Sequence, residues 1–193
     1  MAMNASLRAF FQKSHSLVET AALIAVCMHA GQTRKDDGSP YIIHPCMVAL
    51  ELASHGCSDT VIAAGYTHDI LEDTDMTKEE LAEFLGEEVV QIVTSLTEDK
   101  TLAWEDRKKQ YIETIRRSSD SSKFVSIADK IHNLQSMLSA YEKEGEHAWT
   151  YFNRGKKEQA WFHKSMLSMF EDSWSHPLVS EYAELVKRLE ASV

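Results

Sequence analysis

The chain is short of residues that punctuate secondary structure, with 7 glycines and 3 prolines in 193 residues. That scarcity disfavours a many-stranded β architecture, which needs frequent turns, and favours long helices. Cysteine is scarce too. Cys27, Cys46 and Cys57 are an odd number with no CxxC spacing, which argues against a zinc ribbon and reads as free thiols in a reducing compartment. No apolar run approaches the ~20 residues that span a bilayer. The opening MAMNASLRAFFQK lacks the apolar stretch of a signal peptide. The expectation is a cytoplasmic protein with no membrane contact. Positive charge is also in deficit, 20 Lys and Arg against 30 Asp and Glu, for a net charge of −10. A general nucleic-acid binder needs a basic face, so nucleic acid is set aside as a partner. A phosphorylated ligand would gain nothing from the whole-molecule field and must be held by a metal and by local basic residues. There is no Walker loop and no GxSxG elbow, which removes the usual kinase and serine hydrolase readings.

What is present is helical patterning. A hydrophobic fraction of 44% and a charged fraction of 26% suit one ordinary globular domain over 1–193. Ser16 with Glu19, and Thr77 with Glu80, form capping boxes that open helices. Apolar residues recur at helical spacing after Ser16 up to Met28, and again over 44–52, 59–71, 104–115 and 123–141. The Val-rich stretch 87–96 is read as helix by its spacing, and 147–170 and 177–189 as the last two helices. The segments 32–41 and 97–101 read as loops. The expected fold is all-α, a compact single-domain bundle of about eight or nine helices, with a core over about 16–140 and C-terminal helices over about 147–190. A homo-oligomer is left open.

The chemistry concentrates in AAGYTHDILEDT, residues 63–74. His68 and Asp69 are adjacent, Glu72 lies one helical turn on, and Asp73 follows Asp69 by four. Such acids in an apolar segment are costly to bury unless a metal or partner compensates them. Two further ligand types stand out, His44 at the start of the second helix and Asp129 within SIADKIHNLQS. Two imidazoles and two carboxylates without thiolates suit a borderline-to-hard divalent ion. Mn²⁺ fits, and Zn²⁺, Fe²⁺ and Ni²⁺ remain open. The bland readings are that His44 caps a helix and that Asp129 pairs with Lys130, Lys123 or Arg107. Asn133, four residues after Asp129, shares its face. His132 is read as pointing about 100° away around the helix and is set aside as structural or surface. The other histidines, His15 among them, show no shared pattern. Acids at 72 and 73 at the end of a helix would oppose its macrodipole, a local conflict that points to function.

Arg34 and Lys35, in the loop before His44, suit a phosphorylated ligand, with Arg able to fork onto phosphate or stack on a base. Tyr151, Phe152, Trp161 and Phe162 are read as core rather than a stacking platform, Tyr151 being the one to watch.

Three stretches, in this order and spacing, resemble the HD-domain alarmone hydrolases. They are HAGQTRKDDGSPYIIHP (29–45), HDILEDT (68–74) and ADKIHNL (128–134). The resemblance is to the hydrolase half of the Rel/SpoT enzymes and to the stand-alone MESH1-like small alarmone hydrolases, and it covers about 16–140. It implies a bundle of the HD-domain type whose metal ligands are His44, His68, Asp69 and Asp129. It implies Glu72 and Asp73 as the catalytic acidic pair, Arg34 and Lys35 as base and phosphate contacts, and Asn133 as a ribose contact. The implied activity is a Mn²⁺-dependent removal of the 3′-pyrophosphate of guanosine tetra- or pentaphosphate, a small phosphorylated nucleotide. Gly65-Tyr66-Thr67 departs from the small-aliphatic run usual before the HD pair. Two alternatives stay open: an HD phosphohydrolase for another nucleotide or 3′-phosphorylated nucleoside, and a non-catalytic nucleotide-binding module.

Overall fold

The structure, a computed structural model, describes residues 5–12 and 16–192, so His15 lies outside it. Among the described residues there are eleven α-helices and no strand, only a single bridge between Thr33 and Pro40. They are α1 (Ala5–Phe11), α2 (Leu17–Met28), α3 (Ile43–Ser54), α4 (Asp59–Thr67), α5 (Ile70–Asp73) and α6 (Lys78–Leu85). After them come α7 (Glu87–Leu96), α8 (Trp104–Arg117), α9 (Asp120–Glu144), α10 (Lys156–Ser173) and α11 (Pro177–Ser192). A 3₁₀ segment, Gly145–Tyr151, joins α9 to α10. No helix among the described residues is long and apolar enough to cross a membrane.

Both capping boxes close as expected. Ser16 accepts from the Glu19 amide and Thr77 from the Glu80 amide, with each glutamate reaching back to the cap. Gly86, at φ 82°, takes the left-handed turn that lets α6 stop and α7 start at once. Three elements differ from the sequence reading. A short helix, α1, precedes Ser16 and docks through Arg8 on Glu80 and Glu83 and through Phe11 on Phe84. The stretch 147–170 is not one helix. A 3₁₀ segment and an irregular stretch up to Gly155 interrupt it before α10. The helix expected over 59–71 breaks at His68 and Asp69, between α4 and α5.

The core follows from where the apolar faces meet. α4 packs against α2, α3, α7 and α9, so Val61, Ala63 and Ala64 sit at the centre with Ile24, Val48, Leu52 and Val93 around them. α9 is the spine. At 25 residues it runs about 37 Å, with Ile127, Ala128, Ile131 and Leu134 buried and α3, α4, α7, α8 and α11 packed along it. α3 and α4 approach closely at Gly65. A Cβ built there would lie 2.6 Å from Leu52 Cδ1 and 3.4 Å from Ala49 Cα. This explains the glycine that departs from the family pattern. Gly65→Ala is expected to cost about 1–3 kcal/mol of stability, the usual penalty of overpacking. Urea denaturation measures it, and an unchanged midpoint would show that Leu52 repacks freely.

Candidate metal centre and nucleotide cleft

Two helices and the α4–α5 break bring four donor atoms together. His44 comes from the first turn of α3, Asp129 from the middle of α9, and His68 and Asp69 from the break. His44 Nε2 lies 3.1 Å from His68 Nε2, 3.2 Å from Asp129 Oδ1 and 3.6 Å from Asp69 Oδ2. His68 Nε2 lies 3.1 Å from Asp69 Oδ2 and 3.7 Å from Asp129 Oδ1. Helix geometry alone would put His68 and Asp69 on different faces. The break, where Asp69 adopts φ −96°, ψ −4°, lets both point at one place.

The surrounding bonds fix which ring nitrogen faces inward. His68 Nδ1–H donates to the Gly65 carbonyl at 2.8 Å, leaving the Nε2 lone pair for the centre. His44 Nδ1 lies 2.8 Å from His132 Nδ1 and can donate to it, which does the same for His44 Nε2. Such outer partners orient and tune metal-binding imidazoles. The dismissal of His132 is therefore corrected. Three residues turn a helix by 300°, so His132 lies only about 60° from Asp129 and shares its face. Asp69 Oδ2 accepts from the Tyr41 hydroxyl at 2.5 Å. Asp129 accepts from Asn133 Nδ2 at Oδ1 and from Lys130 Nζ at Oδ2, the latter at 2.6 Å. Asp129 thus has both the ion pair of the bland reading and a place in the donor cluster. Lys123 and Arg107 go elsewhere, to Asp120 and Glu98.

The electrostatics match a cation site. Burial disfavours charge on Asp129, yet Lys130 and the two imidazoles hold its carboxyl well below the usual range. Asp69 is likewise held low against burial, chiefly by His68. Burial and the neighbouring His68 push His44 down, whereas Asp69 and Asp129 raise His68 in spite of its burial. Two buried imidazole nitrogens 3.1 Å apart face the carboxylates of Asp69 and Asp129. The donor set fits a divalent ion with nitrogen and oxygen ligands.

The acidic pair sits on α5, a single turn whose amides at Glu72 and Asp73 both bond back to the Asp69 carbonyl. The conflict with a helix macrodipole does not arise, because these acids belong to a separate one-turn helix. Glu72 Oε2 accepts from the Glu98 amide at 3.3 Å, and Lys100 Nζ lies 3.5 Å from Glu72 Oε1 and 2.7 Å from Asp73 Oδ1. Burial, then the charges of Asp69 and Glu98, raise the Glu72 pKa.

Beside the centre lies a cleft of about 540 Å³. Arg34 and Lys35 line one side, carried by the turn that the Arg34 amide closes on the Ser39 carbonyl at 2.8 Å. Asn133 lines it too. The cleft is also lined by Lys100, Arg107 and Lys108 and by Tyr151, Phe152 and Phe162, which the sequence reading did not place there. Only Phe162 of the aromatic set is buried in the core as expected; Trp161 is 39% exposed. The chain's overall negative charge is locally reversed here. Most of these cations already face an acid, Lys108 and Arg107 facing Glu98 at 2.5 and 2.9 Å.

The HD-domain family model matches residues 21–153, more than half of the chain, and spans all four donors. The chain belongs to the HD-domain family. This HD domain is 42% identical over 120 residues, 61% of the chain and 67% of the relative, to the mouse guanosine-3′,5′-bis(diphosphate) 3′-pyrophosphohydrolase MESH1. It is 34% identical over 129 residues to a probable guanosine-3′,5′-bis(diphosphate) 3′-pyrophosphohydrolase of Synechocystis, covering 64% of the chain and 17% of that protein. Among solved structures it is similar to lmo0812 from Listeria monocytogenes EGD-e, with a TM-score of 0.71 and 39% identity over 76% of this chain and 97% of that one. A metazoan ortholog of SpoT that hydrolyzes ppGpp has the same fold, with a TM-score of 0.75 at 24% identity over 91% and 96% of the two chains.

At the back of the HD domain's cleft, His163 donates or accepts at 2.7 Å with the Tyr182 hydroxyl. Burial, then the charges of Lys130 and Lys108, depress its pKa to about 3. A histidine held neutral when folded but free to protonate when unfolded stabilises the fold above its unfolded pKa of about 6.5. That contribution is lost as pH falls from there towards 3. His163→Phe is expected to flatten the fall in stability between about pH 6.5 and 4, read from urea midpoints across pH. An unchanged slope would mean that His163 does not carry it.

Proposed function

We propose that this HD domain is a Mn²⁺-dependent hydrolase that removes the 3′-pyrophosphate of guanosine tetra- or pentaphosphate, giving GDP or GTP and pyrophosphate. The observation that carries the reading is a cluster of His44, His68, Asp69 and Asp129 donors beside a cleft that is lined by an acidic pair with a raised glutamate and by several basic side chains. The named activity of the MESH1 relatives supports the substrate.

His44, His68, Asp69 and Asp129 would hold the ion. A divalent ion there supplies Lewis acidity and offsets charge on the phosphate. Glu72 would accept a proton at its carboxylate from the attacking water. The raised pKa makes it a stronger base than an exposed glutamate. Asp73, held by Lys100, would orient the water. Attack on the phosphorus next to the ribose breaks the bond to the 3′-oxygen, which takes a proton to become the free hydroxyl. Arg34 and Lys35 would bind the base and phosphates, and Asn133 the ribose. Lys100, 51% exposed on a surface loop, can move from Asp73 to a phosphate oxygen.

The test is pyrophosphate release from ppGpp by the purified protein in Mn²⁺, repeated after chelation. Chelator-sensitive release of GDP and pyrophosphate is expected. Metal-dependent turnover of another nucleotide with none of ppGpp would keep the mechanism and discard the substrate.

A further inference from the structure

At the opposite end of α3 from His44, a second group of donors converges. Glu51 and His55 stand one turn apart, with Glu51 Oε1 3.2 Å from His55 Nε2. Glu181, early in α11, brings its Oε1 to 3.5 Å from the same nitrogen. One imidazole nitrogen therefore faces two carboxylates at 3.2 and 3.5 Å, much as His44 Nε2 faces Asp129 and Asp69 at 3.2 and 3.6 Å. A ring N–H points along one direction and can serve one carboxylate well, whereas a cation among the three atoms serves both.

The setting favours an ion there. His55 caps the C-terminus of α3, where the helix dipole is negative and attracts positive charge. Its ring is braced edge-on by His176 at 5.7 Å between centroids, and His176 is itself stacked on Trp174 at 5.0 Å. The side chains of His55, Glu51 and Glu181 are 20%, 29% and 50% exposed, so an ion can enter from solvent without unfolding the chain.

We propose that Glu51, His55 and Glu181 form a second divalent-cation site, suited to a borderline ion such as Zn²⁺, that ties the end of α3 to α11. The donors are one imidazole nitrogen and two carboxylate oxygens, with water completing a tetrahedron. The ion would act as a staple, because α3 and α11 are far apart in sequence and ligands from both would have to separate for either to leave. It takes no part in hydrolysis.

The test is equilibrium dialysis of the full chain against Zn²⁺ followed by elemental analysis, on wild type, His55→Ala, Glu181→Gln and His44→Ala. Wild type is expected to hold about two ions per chain and each variant about one. Zn²⁺ should also raise the Tm of His44→Ala, an increment that adding His55→Ala abolishes. Asp69→Asn replaces His44→Ala if the latter does not fold. Retention of the wild-type ion count by both His55→Ala and Glu181→Gln would overturn the site, as would no ion in the variant that lacks the central donors. If wild type holds one ion, kept by His44→Ala and lost by His55→Ala, the second site stands and the central metal reading falls instead.

Discussion

Asp129→Ala is expected to remove the bound ion, the hydrolytic activity and a large part of the stability together. The carboxylate is one of the four proposed ligands, and it is also the partner of Lys130, whose ammonium is buried at 2.6 Å from it. Deleting one member of a buried pair leaves the other charge uncompensated, which costs about 3–5 kcal/mol. The two losses separate in the double variant Asp129→Ala/Lys130→Met. Without a stranded ammonium it should regain much of the urea midpoint, while metal content and pyrophosphate release stay at background. The pair also has a pH signature. Asp129 is held low in the fold, so its contribution is present above the ordinary carboxylate pKa of about 3.9 and fades only as pH falls below that. The single variant should lose that acid-side dependence. A variant that kept metal and turnover would remove Asp129 from the centre.

Glu72→Gln is expected to lower kcat by about 10²–10⁴-fold, the usual contribution of a general base, with metal content and Tm little changed. The amide can still accept from the Glu98 backbone, so the α5 turn is preserved, but it cannot take a proton. Wild type should also lose activity with acid at a pH above that expected for an exposed glutamate, because burial and the nearby Asp69 and Glu98 raise the Glu72 pKa. Protonated Glu72 is inactive as a base, so activity falls as pH drops through that raised value. The residual rate of the glutamine variant should lack this limb. If Glu72→Gln turns over ppGpp at the wild-type rate, the proton acceptor lies elsewhere.

The parts of this molecule that were readable from sequence are those fixed by residues close together in the chain. The capping boxes at Ser16 and Thr77 need only a partner three residues on, and both form. The Val-rich segment 87–96 has helical spacing and no neighbouring strand to pair with, and it is helical. His44, His68, Asp69 and Asp129 could be picked out by residue type and motif, and their donor atoms do converge. The break between α4 and α5 could not be read. There the His68 ring bonds the Gly65 carbonyl three residues back, and α3 presses against Gly65, a tertiary contact that no local spacing announces. His132 was misplaced by its angle around α9. Lys100, Arg107 and Lys108 have no spacing that sets them apart from solvated lysines and arginines, and only the packing of α8 and the 97–103 loop around the cleft reveals them. The aromatic residues after Tyr141 gave a core signal because a cleft wall and a core wall use the same side chains.

The donors of the proposed centre all lie before residue 130, whereas the Tyr151, Phe152 and Phe162 side of the cleft comes from the 3₁₀ segment, the stretch after it and α10. The molecule is therefore divisible as an engine and a faceplate. A graft that exchanged residues 145–163 for those of another HD domain would reshape the mouth without touching a single donor. Changes in this stretch alone would alter what the mouth admits and leave the four donors, Arg34, Lys35 and Asn133 as they are.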